Sequence, residues 1–413
     1  MTFLPNSADR VLRDRARQVI PGGMWGHMNA QALGASYPQF FDRARGARLW
    51  DVDGNEYVDL MCSWGPMVLG YRHPVVEAAF SDQTRKGDVM NGPGETLVVL
   101  AELLVSTVRH ADWAMFQKNG SDATTACLTI ARSATACRKV LVAKGSYHGA
   151  LPWCSPNPHG ITSEDRAHLI AFEYNDPDSL RQAARQAGTD LAGIILTPFR
   201  HDQARDQEMP SKEFAACARA ICDEMDAVLI LDDVRAGFRI DLGGSWEPIG
   251  VRPDLSAFSK AIANGYPLAA ITGVDRLREA AARTFLTGSF WCGAAAMAAG
   301  IATITTLRDS NAVVWIERMG RRLRDGMDGL ATRHGFALRQ TGPVQMPMIL
   351  FEDDADFGKA DMFCAAALRG GAYFHPRHNM FLSAAHTEAD IDQVLNAADD
   401  ALMQMRQRGT FAA

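Results

Sequence analysis

The chain lacks paired cysteines, a basic surplus and long apolar runs, and it has few lysines. Each shortage narrows what it can be. Eight cysteines are present, among them Cys62, Cys127, Cys137 and Cys217. None forms a C-x-x-C pair, so zinc or thioredoxin-like redox chemistry has no support. They read as buried free thiols of a reducing compartment. The formal net charge is -6, without the basic face or stripe that nucleic acid demands. No apolar run reaches the roughly 18 residues of a membrane span. Met1 to Arg10 has no apolar core after a basic start, so no signal peptide is expected and the location reads as cytoplasmic. No G-x-G-x-x-G follows a strand near the start of a sheet, which argues against a nicotinamide enzyme. Internal repeats and low-complexity linkers are absent too.

What is present is an ordinary globular composition, 47% hydrophobic and 22% charged over 413 residues. That length suits two domains, or a large domain with a smaller partner. Asp9–Ile20 reads as an amphipathic helix stopped by Pro21-Gly22-Gly23. Arg48–Val52 and Glu56–Leu60, flanking Asp53-Gly54-Asn55, read as a β-hairpin. From about residue 110 to 275 short apolar runs alternate with helix-like stretches. The runs are Trp113–Phe116, Val140–Ala143, Leu169–Phe172, Gly193–Leu196, Val228–Leu231 and Ala269–Gly273; the helices include Ser121–Ala136, Pro177–Ala187 and Lys212–Met225. This alternation predicts a mostly parallel sheet with helices on both faces. Beyond Asn311 the pattern changes to an α+β cap. It comprises a helix at Val313–His334, strands at Phe336–Gln340, Met348–Phe351 and Met380–Ser383, and a closing helix at Glu388–Arg406. The N-terminal hairpin is expected to pack beside this cap. The expected divisions are 1–65 for the N-terminal segment, 66–310 for the large domain and 311–413 for the C-terminal small domain.

Four segments carry residues suited to chemistry. Val228-Leu229-Ile230-Leu231 ends in Asp232-Asp233; a buried parallel strand delivers its C-terminal end to a ligand crevice. An acid there is ordinarily a cap or turn residue. Lys260, one of only seven lysines among 42 basic residues, lies between the apolar run Ser256-Ala257-Phe258 and Gly265-Tyr266-Pro267. A loop lysine is solvated by default; beside an apolar pocket its amine loses a proton and forms imines. Phe116–Thr124 leaves a strand and opens a helix. Free N–H groups at such a start bind phosphate, Gly120 lets the backbone come close and Ser121 adds a hydroxyl, although Ser121 and Asp122 also suit a plain capping motif. In Gly145-Ser146-Tyr147-His148-Gly149, the Tyr147 ring is able to lie flat on a heteroaromatic ring.

The order of these segments is more telling than any one of them. Phosphate loop, aromatic shelf, strand-end Asp and Lys follow the order of the fold-type I enzymes that use pyridoxal phosphate. Over nearly its whole length the sequence resembles the class III (subgroup II) aminotransferases. The resemblance rests on Pro21-Gly22-Gly23, Leu49–Gly54, Ser63-Trp64-Gly65-Pro66, Tyr147-His148-Gly149, Asp232-Asp233-Val234 with Gly237-Phe238-Arg239, and Ser259-Lys260. Ser63–Gly70 and Phe381–Thr387 are similar to glutamate-1-semialdehyde aminomutase. His110–Phe116, Thr197–His201, Asp233–Arg239 and Thr287–Trp291 are similar to the fumonisin-type (aminopentol) aminotransferases, and the last two fit that branch better than the aminomutase, which favours a transaminase. The implied fold is a large domain with a mostly parallel seven-stranded sheet flanked by helices, plus a smaller α+β domain formed by both termini.

The implied activity is transfer of an amino group from a primary amine, of long-chain or polyol type, to a keto acid such as pyruvate. It proceeds as a ping-pong cycle through pyridoxamine phosphate; an intramolecular 2,1-aminomutase is the alternative. The resemblance makes Lys260 the cofactor-bonded base and Asp232 the partner of the pyridinium nitrogen. Val234 and Tyr147, with His148 beside it, cover the ring, while Gly120 and Ser121 hold the phosphate. Asp122 ties the site together. Relatives borrow a phosphate-binding Thr from the second subunit of a homodimer; here Ser289 stands at that position, with Thr287 two residues earlier. Thr197-Pro198 departs from the Glu-Pro of many relatives. His27, Trp64, Trp153 and Trp291 are candidates for the substrate pocket. Arg200, Arg235 and Arg377 are candidates for the acceptor carboxylate, since arginine binds carboxylates bidentately. His375 and His378 lie three apart without a nearby third ligand, so a surface position or pocket lining is favoured over a metal.

Overall fold

A computed structural model describes residues 7–34 and 36–407. The outermost parts of the two expected terminal segments, 1–6 and 408–413, lie outside the described residues. Three N-terminal strands come first: β1 (Phe41–Arg45), β2 (Arg48–Asp51) and β3 (Glu56–Asp59), joined as antiparallel neighbours. The turn between β2 and β3 is held by Asp51, whose carboxylate accepts from the Asp53 and Asn55 amides and the Asn55 side chain. Seven strands follow. They are β4 (Trp113–Gln117), β5 (Lys139–Ala143), β6 (Leu169–Phe172), β7 (Leu191–Leu196), β8 (Val228–Asp232), β9 (Leu255–Phe258) and β10 (Ala269–Gly273). They form one sheet in the order β4-β10-β9-β8-β7-β5-β6. Only β10 runs against its neighbours. Every residue of β7, β8, β9 and β10 is buried, as expected for strands covered by helices on both faces. β9 was legible in the sequence only as a short apolar run, being four residues long.

β10 is antiparallel to both β4 and β9, so β4 points the same way as the parallel strands. The C-terminal ends of β4, β5, β7, β8 and β9 therefore open on one edge of the sheet, where α/β folds place their ligands.

The C-terminal part contributes the helix Ala312–His334, the antiparallel pair β11 (Leu338–Thr341) and β12 (Met348–Phe351), the helix Gly358–Arg369, the short β13 (Ala372–Tyr373) and the helix Glu388–Gln407. β13 pairs parallel to β3, which joins the two ends of the chain in one four-stranded sheet. Arg48 of β2 reinforces that join through Asp390 at 2.7 Å. The strand expected at Met380–Ser383 does not form. Its amides donate alternately to two sides, Met380 and Leu382 to Pro347 and Gln345, Phe381 to Leu60. The segment is thus an extended seam between neighbours rather than a ladder with one of them. Among the described residues no helix is long and apolar enough to cross a membrane.

Candidate active site

Strand ends and loops enclose a cavity of about 300 Å³ at that edge of the sheet, lined by Gly120, Ser121, Tyr147, His148, Asp232, Val234, Arg235 and Lys260 among others. Asp232 closes β8. Its Oδ2 stands 2.7 Å from His148 Nδ1, and its Oδ1 accepts the Val234 amide at 3.2 Å. The neighbouring Asp233 turns away and accepts from the amide and hydroxyl of Ser245; burial pushes its carboxyl up to about 7. The two acids of the sequence pair are thereby separated, one to the cavity and one to the core.

Lys260 begins a short 3₁₀ turn, Lys260–Ala263, directly after β9, with φ +46°. A left-handed backbone at a residue with a side chain costs about 1–2 kcal/mol, so its surroundings must impose it. Ser259 donates its hydroxyl to the Leu268 carbonyl at 3.0 Å, and Asn264 bonds the Leu69 amide and Gly70 carbonyl at 2.8 Å each. Burial drives the Lys260 amine down to about 7, the positive charge of Arg235 pushes the same way, and Asp232 opposes both. An amine so placed is about half neutral at pH 7, and the neutral form is the one that forms imines and accepts protons.

The helix Gly120–Thr135 starts at the cavity. The Gly120 and Ser121 amides precede the first intrahelical bond and have no protein acceptor among the described residues. A Cβ on Gly120 would stand 2.6 Å from Val234 Cγ1, so only glycine fits between helix and strand end. The loop after β5 is stapled to this helix by three bonds. Ala150 N–H donates to Ser121 Oγ at 3.1 Å, Thr124 Oγ1 to the His148 carbonyl at 2.8 Å, and Trp153 Nε1 to Thr125 Oγ1 at 2.8 Å. The staples present Tyr147 and His148 to the cavity.

Other expected residues lie off the cavity wall. Asp122 accepts the Asn119 amide at 3.0 Å and caps the helix. Trp153 stacks behind His148, 6.1 Å between rings. Arg200 is paired with Asp202 at 2.8 Å and Arg377 with Asp361 at 2.5 Å. Thr287 and Ser289 sit exposed on an irregular stretch before the helix Ala294–Asp309, beside Phe285 at 90% and Phe290 at 66% exposure. Trp291 is partly buried on the same stretch. His27 and Trp64 pack on one another at 4.9 Å, and Trp64 continues to His375 and His378 at 5.4 and 5.0 Å. Trp64 follows two residues that also have left-handed backbones, with φ of +47°, +54° and +66° from Cys62. The buried guanidinium of Arg239 ties this turn down through the Gly65 carbonyl at 2.5 Å and the Leu382 carbonyl.

The cavity also takes in Lys118, His201, Ser259 and Tyr266, to which sequence reasoning gave no role. His201 is buried with Nδ1 unpartnered among the described residues. Burial, then the Arg235 charge, hold its imidazole well below the ordinary value. Nothing in one sequence separates such a histidine from a core one.

A depressed lysine amine, a fixed carboxylate, open amides at a helix start and a tyrosine ring in one cavity fit pyridoxal phosphate. They match its aldehyde, ring nitrogen, phosphate and flat face respectively.

Comparison with known proteins agrees. Residues 31–402 match the family model "Aminotransferase class-III". The chain is 50% identical over 390 residues to the aminopentol aminotransferase of Sphingopyxis macrogoltabida, covering 94% of this chain and 92% of that one. It is 31% identical over 418 residues to glutamate-1-semialdehyde 2,1-aminomutase of Desulfitobacterium hafniense, covering 95% and 97%. Among solved structures, the PLP internal aldimine form of the FumI protein of Sphingopyxis sp. MTA144 superposes with TM-score 0.96 at 48% identity, covering 98% of each chain.

Proposed function

The chain belongs to the class-III aminotransferase family, whose cofactor is pyridoxal phosphate, and from that premise we propose that it moves the amino group of a long-chain or polyol primary amine, of the aminopentol type, to a keto acid such as pyruvate. The observation that carries this reading is a single cavity holding Lys260, Asp232 and the helix start at Gly120, in a chain half identical to an aminopentol aminotransferase.

When bound, the cofactor supplies an electron sink for the carbon that loses its proton. The chain's own groups do the rest. Lys260, about half neutral at pH 7, would bond the cofactor and, once released, take and return that proton. Asp232 keeps the ring nitrogen protonated. His148 and the Val234 amide fix its carboxylate while leaving lone pairs for the ring N–H. Gly120 and Ser121 hold the phosphate. Tyr147 and Val234 cover the ring and exclude water.

Thr287 and Ser289, exposed beside two solvent-facing phenylalanines, support a homodimer in which one of them reaches the partner's phosphate site. Sedimentation at twice the 45.0 kDa chain mass is expected, and a monomeric active enzyme would refute it. A cytoplasmic location belongs to the same reading, since all eight cysteines are free.

The 31% identity to an aminomutase supports a second reading, exchange of amino positions within one substrate. Alanine formation from pyruvate, followed across a panel of long-chain and polyol amines, separates the two. The transaminase needs pyruvate for steady turnover, whereas turnover of an amino-aldehyde with no acceptor added favours the aminomutase.

A further inference from the structure

Arg235 is a buried cation in the cavity wall whose bonds all go to neutral groups. Its Nη1 donates to Asn379 Oδ1 at 2.6 Å and to His378 Nε2 at 3.1 Å. The Asn379 amide is oriented by its own Nδ2, which donates to the Met380 carbonyl at 2.8 Å. His378 Nδ1 stands 2.7 Å from the Asn379 carbonyl. A carbonyl only accepts, so Nδ1 carries the proton and Nε2 offers its lone pair to Arg235. Trp64 packs edge-on against the His378 ring and holds it in place.

The guanidinium is therefore fastened at one end only. Its Nε–H and Nη2 hydrogens have no protein acceptor among the described residues. That edge is the fork that receives a carboxylate side-on. Arg200 and Arg377 already have carboxylates, Asp202 and Asp361. An aspartate or glutamate in place of Asn379 or His378 would hold Arg235 equally firmly but cancel its charge.

We propose that His378 and Asn379 are positioning residues that present Arg235, with no carboxylate bonded to it, as the docking group for the carboxylate of the acceptor acid. The proposal rests on the transaminase reading and adds how the site recognises one of its two substrates. Lys260 and the cofactor deal with the reacting carbon; Arg235 reads the other end of a short keto acid.

The test compares pyruvate with propanal, which offers a carbonyl without a carboxylate, using cofactor-loaded wild type, Asn379→Asp and His378→Gln. Asn379→Asp is nearly isosteric and places a negative charge against Nη1. The ratio of kcat/KM for pyruvate to that for propanal is expected to fall about tenfold or more in Asn379→Asp, and to stay within about twofold in His378→Gln, which keeps a neutral acceptor. An equal loss for both acceptors in Asn379→Asp means a merely structural role and overturns the proposal, as does an unchanged ratio. Calorimetric titration of pyruvate into the loaded protein, without amine, reads docking alone. If wild type turns over neither acceptor with any amine, the transaminase reading fails. Docking is then judged by this titration: weaker binding in Asn379→Asp supports it, and equal or absent binding in both proteins overturns it.

Discussion

His148 Nδ1 lies 2.7 Å from Asp232 Oδ2, both side chains are buried, and Trp153 backs the imidazole. The carboxylate is thereby fixed at the end of β8 instead of rotating to a solvated position. Asp232→Asn keeps the shape and removes the charge. Its turnover is expected to fall by on the order of 10² to 10³, the usual loss of a preorganised electrostatic partner, with the cofactor still bound. His148→Ala should lose less, because the Val234 amide still holds Oδ1. Steady-state kinetics with cofactor absorbance measured on the same samples check both.

The depressed Lys260 amine predicts a pH window. With the folded-state value at about 7 against an ordinary 10.5, cofactor uptake by the cofactor-free protein rises through pH 7 and levels off above it. A rate still climbing toward pH 10 would contradict the assignment. Stability follows the same group. Between about pH 7 and 10.5 the unfolded chain binds more protons than the folded one, so this lysine makes stability rise with pH across that window. Lys260→Met removes that rise, as pH-dependent denaturant melts would reveal.

Gly120 and Val234 form a close pair. Gly120→Ala forces a methyl into Val234 and is expected to cost about 1–3 kcal/mol, the range for overpacking. The double variant Gly120→Ala with Val234→Ala is expected to recover most of that stability but not the cofactor affinity, if Val234 covers the ring as proposed. Thermal melts and pyridoxal-phosphate titrations of the three variants test the pair; equal melting temperatures for wild type and Gly120→Ala would count against it.

Asp122 acts through the helix start. Asp122→Ala removes the acceptor for the Asn119 amide and is expected to lose about 1 kcal/mol, as for other lost caps. Cofactor release should quicken because the helix-start amides proposed to hold the phosphate fray. Fluorescence-monitored cofactor release shows this directly, and an unchanged rate would assign Asp122 to helix stability alone.

The sheet was legible because buried parallel strands are short uninterrupted apolar runs, and β7 and β8 have no polar residue before Asp232. The helices Pro177–Ala187 and Ala312–His334 were legible within a residue from periodicity and end signals. Met380–Ser383 misled because its apolar residues pack against two different neighbours, which periodicity does not register. At the site, Lys260, Asp232, Gly120 and Tyr147 stand in motifs whose local order is readable. The His378–Asn379–Arg235 contacts join positions 143 and 144 residues apart, and His201 owes its place to burial. Choosing among the three arginines likewise required knowing which ones already had carboxylates.

The most direct test of the central claim is the visible absorbance of purified protein, wild type and Lys260→Ala, before and after addition of an amine donor such as L-alanine. The account predicts a yellow band in wild type that bleaches as pyruvate appears and returns when pyruvate is supplied in excess. In Lys260→Ala the cycle should not turn over. Wild type without a yellow band after incubation with pyridoxal phosphate, or undiminished turnover in Lys260→Ala, would contradict it.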